Sequence, residues 1–293
     1  MREYVIVTDV NGDLPSEYVR EHGVYMMSTT CTMGDVTEYC DQMTDFPGFY
    51  AKMRGGAKPL TGQVTPAIAM DTARPILEAG QDILFLCFSS ALSGSYNSTC
   101  VAVDELRDEF PDAKMVVIDS LCASMGQGLL VYHMVRNKEA GMSLEELAEW
   151  TEKNKHHVMH YFTVEDLFHL YRGGRLSKAG AIVGSLLSVK PLLYVDSNGG
   201  LKPFGKVRGR KKSLTALAEH IVKSIKAWPP EENPIILISH GDCPEDVAIV
   251  QEEIKKELGD IEFLVHYIGP SVGTHSGPGT VAVFCMGPDR EVF

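Results

Sequence analysis

The chain has 293 residues, of which 27 are Lys or Arg and 39 are Asp or Glu, so its net charge is −12 with neutral histidine. With 44% apolar and 23% charged residues it has a globular composition, which excludes a disordered or fibrous protein. The acidic balance argues against a nucleic-acid-binding protein, and no apolar run approaches the ~20 residues of a membrane helix. The sequence shows no signal peptide, and its seven cysteines have neither the spacing of a zinc site nor that of a disulfide framework. We therefore expect a cytoplasmic protein without a metal site.

The predicted elements alternate short β-branched runs with amphipathic stretches, a pattern typical of βαβ units. Thr65-Pro66 predicts a helix start, with a capping hydroxyl before a proline, and Ser143 with Glu146 predicts a capping box. A turn at 197–200 between two strand-like runs predicts a hairpin. The predicted strands are, in chain order, Tyr4–Thr8, Ile83–Phe88, Lys114–Ile118, Val158–Thr163, Val189–Val195, Leu201–Val207, Pro234–Ser239 and Glu262–Ile268.

These elements predict an α/β protein of two lobes, the first spanning residues 1–160 and the second residues 161–293. The first lobe should hold a largely parallel sheet flanked by helices. The second should hold a mixed sheet, because the predicted hairpin introduces an antiparallel pair. A cleft between two lobes is a common place for a small-molecule site.

The strongest local signal is the hydroxyl- and glycine-rich turn after the apolar run ILFLCF, where a buried strand should lead into a helix. Unpaired N–H groups and the positive end of the helix dipole lie at such a junction, and Gly94 lets the backbone approach a ligand. Ser93 is therefore a candidate donor to an anionic head group, either a carboxylate or a phosphate. The alternative is that Ser93 merely caps its own helix.

Three further residues are candidates for the same site. In the loop at 59–66, Thr61 has no local capping duty, unlike Thr65. Arg175 follows two glycines and precedes a predicted helix, where a guanidinium suits pairing with a carboxylate or phosphate, although a surface arginine beside a C-cap glycine fits equally well. His275 lies among glycines and prolines that can present its ring to a cleft, whereas a lone histidine is more often structural.

No catalytic set emerges from these residues, because the chain lacks the patterns of a nucleophile elbow, a zinc protease, a Walker loop or a dinucleotide-binding turn. An enzyme, such as an acyl-ester hydrolase or a phosphotransferase, would have to combine Ser93 with the distant His275 and an unspecified acid. The basic run between Lys202 and Lys212 is typical of a solvated face, and it would otherwise dock an acidic partner or nucleic acid.

Taken together, the motifs resemble those of the DegV family, in the family's order and over almost the whole chain. They are Thr8-Asp9, Asp13 to Pro15, Thr61 with Gln63 and Pro66, Ser89 to Tyr96, Ile118 to Gly128, Gly173 to Ser177, Lys190-Pro191 and Ile268 to Gly279. The sequence departs from the family's pattern at Val10 and Gly62, each of which replaces a serine. Both lost hydroxyls should fall near the head-group end of the site.

The resemblance implies a two-lobed fold that buries one long-chain fatty acid between its lobes, without catalysis and without a cofactor or metal. It implies that Thr61, Ser93 and Gly94 hold the carboxylate, and that Arg175 and His275 lie near the head-group opening or face a partner. The implied partner is the ATP-dependent subunit of a bacterial fatty acid kinase, which converts the presented acid to an acyl phosphate. A transient contact with a membrane surface is left open.

Overall fold

The computed structural model describes residues 2–177 and 189–290 of the chain. Within them, strands and helices alternate along most of the sequence. The strands are β1 (Tyr4–Asp9), β2 (Tyr25–Met27), β3 (Thr30–Met33), β4 (Val36–Tyr39), β5 (Leu60–Thr61), β6 (Asp82–Cys87), β7 (Met115–Asp119), β8 (Val158–Thr163), β9 (Val189–Val195), β10 (Leu201–Arg208), β11 (Ile235–His240), β12 (Glu262–Tyr267) and β13 (Val281–Met286). The helices are α1 (Ser16–Glu21), α2 (Phe46–Arg54), α3 (Pro66–Glu78), α4 (Ser95–Glu109), α5 (Met125–Glu139), α6 (Leu144–Asn154), α7 (Phe168–Arg172), α8 (Arg210–Lys226), α9 (Pro244–Leu258) and α10 (Pro270–Ser276).

The first half of the chain forms the parallel sheet that the sequence predicts. Its four strands are ordered β2-β1-β6-β7, and each neighbouring pair is parallel. Strand β6 is buried at every residue, as expected of a parallel strand covered on both faces. Helix α3 begins after Thr65, whose Oγ1 accepts the N–H of Ile68 at 3.3 Å, and Ser143 and Glu146 form the expected capping box of α6.

The second half forms a six-stranded mixed sheet in the order β10-β9-β8-β13-β11-β12. Its described pairs are antiparallel except β11–β12, which is parallel. The predicted hairpin joins β9 and β10, where Asp196 Oδ1 accepts the N–H groups of Asn198 and Gly200 at 3.1 and 2.8 Å. Gly199 has a φ of +78°, which favours glycine in this turn.

A small antiparallel sheet, β4-β3-β5, was not predicted from the sequence. Its strands have only two to four residues, and β4 is exposed throughout. The register places Thr61 of β5 opposite Cys31 of β3. This pairing fixes the backbone of the loop that carries Thr61.

Helix α5 lies between the two larger sheets and joins them. It contacts β1 and β6 on one side and β8, β11 and β13 on the other. One buried apolar cluster contains Leu84 of β6, Leu129 of α5 and Leu237 of β11, so the two halves share a core. A Cβ at Gly128 would lie 2.7 Å from the backbone oxygen of Gly12, so this approach needs glycine. The lobe boundary near residue 160, which falls within β8, stays a prediction.

Candidate functional site

A slender cavity lies between the six-stranded sheet and the loops that follow β5, β6 and β7. It encloses about 760 Å³ free of protein atoms, its opening included. Only about 90 Å³ of this space lies far enough from the walls to hold the centre of a water molecule, so the cavity is narrow. Its sheet-side lining consists of His160, Phe162, Val195, Leu201, Ala282 and Phe284.

The strand register arranges these lining residues in rows across the sheet. Phe284 of β13 is paired with His160 of β8, and Ala282 is paired with Phe162. Alternate residues of a strand share a face, so Thr280 lies on this face just before β13 begins. The row from Thr280 to Phe284 spans about 13 Å at the rise of a strand. The cavity therefore extends along the strands, and its apolar end at Phe284 and His160 is buried.

The other end of the cavity carries the polar residues that the sequence singles out. Thr61, Ser93, Arg175 and His275 all line it, and all four are half-buried. Thr61 Oγ1 and His275 Nε2 are 2.8 Å apart. On its other side the imidazole packs against Gly173, where a Cβ would lie 2.2 Å from Nδ1. The structure thus brings together residues that are far apart in the sequence.

The protonation state of His275 determines what Thr61 offers to a ligand. Burial, together with the positive charges of Arg175 and Arg172, lowers the pKa of His275 to about 4, so the ring is neutral near pH 7. Its Nδ1 is buried without a hydrogen-bond partner in the described part of the chain. Because an unpaired buried N–H is tolerated less well than an unpaired acceptor, we assign the proton to Nε2, which donates to Thr61. The Thr61 hydroxyl then has its own hydrogen available for a further acceptor.

Ser93 lies on the turn between β6 and α4. Its Oγ accepts the N–H of Ser95 at 3.3 Å and lies 2.9 Å from Ser95 Oγ. Ser95 Oγ in turn accepts the N–H of Val64 at 3.1 Å. Ser93 precedes Gly94, the N-cap of α4, which has no side-chain cap. The Ser93 hydroxyl therefore orders the turn before α4 without capping the helix, and Ser93 also lines the cavity.

Gly94 is adjacent to the cavity but does not line it. A Cβ at this position would lie 2.4 Å from Gln63 Oε1, and Gln63 Nε2 donates to Ser98 Oγ at 3.2 Å. The glycine lets the Gln63 side chain pack across the turn. This contact connects the Thr61 loop to the Ser93 turn.

Arg175 is held by backbone carbonyls rather than by an acid. Its Nε donates to Leu92 O at 3.0 Å and its Nη1 donates to Gly173 O. Within residues 2–177 and 189–290, no carboxylate oxygen lies within 4 Å of its guanidinium. Burial lowers the pKa of Arg175, which remains a cation at neutral pH. The helix predicted to follow Arg175 lies outside the described residues.

A buried polar network that sequence reasoning did not assign to the site forms another part of the wall. Asp9 accepts the N–H groups of Asn11 and Phe88 at 3.1 and 2.8 Å, and Asn11 Oδ1 accepts from Ser271 Oγ at 2.6 Å. Asn11 and Ser271 line the cavity. Asp9 thus orders the loop after β1 and orients an amide toward the second half of the chain.

The two departures from the family's pattern have different places in the structure. Val10 packs in a neighbouring apolar cluster with Met43 and Tyr267 and does not line the cavity. Gly62 does line it, and a Cβ there would lie 2.5 Å from Thr30 Oγ1. A hydroxyl from β3 therefore occupies the space of a side chain at position 62.

The alternative of a serine–histidine enzyme finds no geometric support in these contacts. Ser93 pairs with Ser95, whereas His275 pairs with Thr61 and has no carboxylate on Nδ1 among the described residues. The basic run does not line the cavity either. Lys202, Lys206 and Arg208 are exposed on β10, and Arg210 pairs with Asp246 at 2.7 Å.

In residues 2–177 and 189–290, no helix is both long and apolar enough to span a membrane. No group of three or more His, Cys, Asp or Glu side chains is arranged to hold a metal ion in those residues.

The fold and the site define a class of two-lobed α/β proteins with a slender apolar cavity that ends in a polar cluster. The chain belongs to the DegV family, since a family model described as an uncharacterised protein of that family matches residues 3–287. A DegV domain-containing protein of Clostridium perfringens is 42% identical over 294 residues, covering 99% of this chain and 100% of the relative. The family predicted from the motifs is confirmed.

Solved structures of similar proteins share this fold. One described as fatty acid binding of a DegV family protein, from Thermus thermophilus, is 29% identical, with a TM-score of 0.84 over 98% of this chain and all of its own. DegV from Bacillus subtilis, described as a fatty acid binding protein, is 28% identical, with a TM-score of 0.83 and the same coverage. A stearic-acid-binding protein from Eubacterium ventriosum is 25% identical, with a TM-score of 0.86 over 96% of this chain and 98% of its own. The predicted fold class is confirmed by these similarities.

Proposed function

We propose that this protein binds one long-chain fatty acid in the slender cavity, with the carboxylate at the Thr61–Ser93 end and the acyl chain along the six-stranded sheet. The observation that carries the proposal is a narrow apolar channel that ends in hydroxyl, imidazole and guanidinium groups without a paired carboxylate among the described residues. The similarity to family members that bind fatty acids supports it. Residues 1–160 would supply the head-group loops, and residues 161–293 would close the channel.

The channel and the polar cluster contribute differently to the free energy of binding. Burial of each methylene contributes ~0.8 kcal/mol, so a sixteen-carbon chain offers roughly 12 kcal/mol before the costs of binding. A charge-assisted hydrogen bond contributes only about 1.5–3 kcal/mol. The channel therefore sets most of the affinity, and the hydroxyls of Thr61 and Ser93 determine which end of the ligand lies there.

The polar cluster suits an ionised carboxylate. His275 orients Thr61 so that its hydroxyl donates outward, and Ser93 offers a second hydroxyl. Arg175 adds a positive charge that no described acid neutralises. Together these groups replace part of the hydration that a carboxylate loses on leaving water.

The finer proposal is that the protein does not catalyse a reaction but presents its ligand to a separate kinase subunit in the bacterial cytoplasm. There a carboxylate oxygen attacks the γ-phosphorus of ATP, which yields an acyl phosphate and ADP. Arg175 and His275 lie at the half-buried polar end of the channel, where a partner would reach the carboxylate. The resemblance to the family supports this role.

The head-group site is tested by a double substitution, Thr61→Ala with Ser93→Ala. Loss of two hydrogen bonds to a charged group should weaken hexadecanoate binding by at least about 100-fold, measured by titration of the delipidated protein. The matched control is Thr65→Ala, because Thr65 lies in the same loop but caps α3 outside the cavity. The control should lose about 1 kcal/mol of stability and no affinity. Unchanged affinity in the double variant would place the carboxylate elsewhere.

A further inference from the structure

One hydroxyl in the cavity wall has no hydrogen-bond partner among the described residues. Ser276 ends α10, lines the cavity and is only 5% exposed. Its Oγ is buried and makes no hydrogen bond in the part of the chain that the structure describes. Buried hydroxyls in folded proteins almost always have a partner, because an unpaired one loses its hydration without replacement. The orphaned group therefore points to an acceptor that binds in the cavity.

The neighbouring hydroxyls of the wall are already used within the protein. Ser124 Oγ bonds to the Asp13 carboxyl group, and Ser271 Oγ donates to Asn11 Oδ1 at 2.6 Å. Thr280 Oγ1 donates to the backbone oxygen of Ser276 at 2.9 Å. Ser276 therefore differs from Ser124, Ser271 and Thr280 in having an uncommitted donor.

The position of Ser276 identifies the end of the ligand that it would meet. It follows His275 directly in α10, and its carbonyl contacts Thr280, at the end of the sheet row away from Phe284 and His160. Ser276 is thus at the polar end of the cavity. An acceptor atom there belongs to the head group and not to the far end of an acyl chain.

We propose that the Ser276 hydroxyl donates a hydrogen bond to the carboxylate of the bound acid, an inference that rests on the proposed function. Thr61 and Ser93 approach the head group from the first half of the chain, and Ser276 approaches it from the second half. A carboxylate has two oxygens and about four acceptor positions, so it accommodates a third hydroxyl. The three donors would hold the head group from both halves of the protein.

The test measures binding of hexadecanoate labelled with ¹³C at its carboxyl carbon. Ser276→Ala should weaken binding about 10-fold, the effect of one hydrogen bond to a charged group. It should also raise the pKa of the bound carboxyl, read from its ¹³C shift against pH, because a donor stabilises the ionised form. If the alanine variant does not fold, Ser276→Cys takes its place. This substitution nearly keeps the side-chain volume and weakens the donor, so it should also weaken binding and raise the pKa of the bound carboxyl.

The matched control is Ser224→Ala. Ser224 is also buried, but its Oγ lies 3.2 Å from the hydroxyl of Tyr161. Tyr161 lies between His160 and Phe162 on β8 and so faces away from the cavity. This variant should bind the labelled acid as the wild type does.

The outcomes separate the two proposals. If the wild type binds hexadecanoate and Ser276→Ala changes neither the affinity nor the carboxyl titration, the hydroxyl meets only water and this inference is wrong. If the wild type does not bind hexadecanoate, the proposed function itself fails. A 10-fold loss together with a raised carboxyl pKa, absent from Ser224→Ala, supports both.

Discussion

At the scale of single residues, Asp13, which bonds to Ser124 of the cavity wall, shows how burial changes the chemistry of a carboxyl group. Burial raises the pKa of Asp13 to about 8, although hydrogen bonds from Ser124 and from the N–H of Gly269 lower it. Since the unfolded carboxyl has an ordinary pKa of 3.8, the folded protein binds this proton more tightly. The stability that Asp13 contributes is therefore complete below about pH 4 and is lost as the pH rises toward 8.

Asp13→Asn should remove this pH dependence. An amide can donate to Ser124 and accept from Gly269, and asparagine tolerates the left-handed φ of 51° at this position. Between pH 5 and 8 the free energy of unfolding should rise in the variant relative to the wild type, by up to about 1.4 kcal/mol per pH unit. Urea denaturation at several pH values measures the difference.

The control for this prediction is Asp242→Asn. Asp242 also has a left-handed backbone, with a φ of 59°, but it pairs with Arg54. Its substitution removes an ion pair and no buried proton. If the difference in the free energy of unfolding between the wild type and Asp13→Asn stays constant from pH 5 to 8, Asp13 is ionised in the folded protein.

At the scale of elements, the contact between α5 and the turn after β1 depends on one glycine. Gly128→Ala should lower the free energy of unfolding, because its Cβ would lie 2.7 Å from the Gly12 oxygen. Overpacking of this kind costs about 1–3 kcal/mol, against up to ~1 kcal/mol gained from helix propensity. Thermal or urea denaturation gives the net change.

The same interface supplies the control for Gly128→Ala. A Cβ at Gly12 would meet its nearest atom, in the Gln127 side chain, at 3.7 Å. That is ordinary van der Waals contact, so Gly12→Ala should change stability little. Equal losses in the two variants would mean that the close approach at Gly128 is not what limits this packing.

Sequence patterns predicted the long elements well and the short ones poorly. The eight expected strands are present within one residue at each end, because most of them are apolar or β-branched runs bounded by turn residues. Strands β2 to β5 have two to four residues and little hydrophobic periodicity. They are defined by pairing with neighbouring strands, which the local sequence pattern does not show. Strand β13 is an apolar run that follows a glycine-rich loop, and local pattern alone did not identify it.

The candidate site was predictable only where a residue's type and its position beside a helix or turn indicate a chemical role. A hydroxyl before a helix and an arginine on a glycine turn gave Ser93 and Arg175. The pairing of Thr61 with His275 joins residues 214 positions apart, which no local pattern contains. Whether Ser276 has a hydrogen-bond partner is equally a property of the folded chain, and its sequence position alone gave no sign of it.

At the scale of the whole molecule, the proposed role separates binding from catalysis. The purified protein loaded with hexadecanoate should form no acyl phosphate from ATP by itself, because His275 and Ser93 do not contact each other and no Walker loop is present. Addition of an ATP-using fatty acid kinase subunit should produce hexadecanoyl phosphate, trapped with hydroxylamine. Turnover without the added subunit would favour the enzyme alternative.

The control for the kinase assay is the Thr61→Ala and Ser93→Ala variant at the same total ligand concentration. It should support less acyl phosphate in proportion to its lower occupancy. Equal product from this variant would mean that the kinase uses free fatty acid and that presentation plays no part.

The shared core around α5 has a consequence for the kinetics of ligand exchange. Ten of the fifteen residues of this helix are buried, and it packs on strands of both sheets. A hinge motion that parted the two halves would expose that core, at a cost close to that of global unfolding. We therefore expect the proposed ligand to enter and leave by local rearrangement at the polar end, so that the loops there set its residence time while the helix between the sheets stays in place.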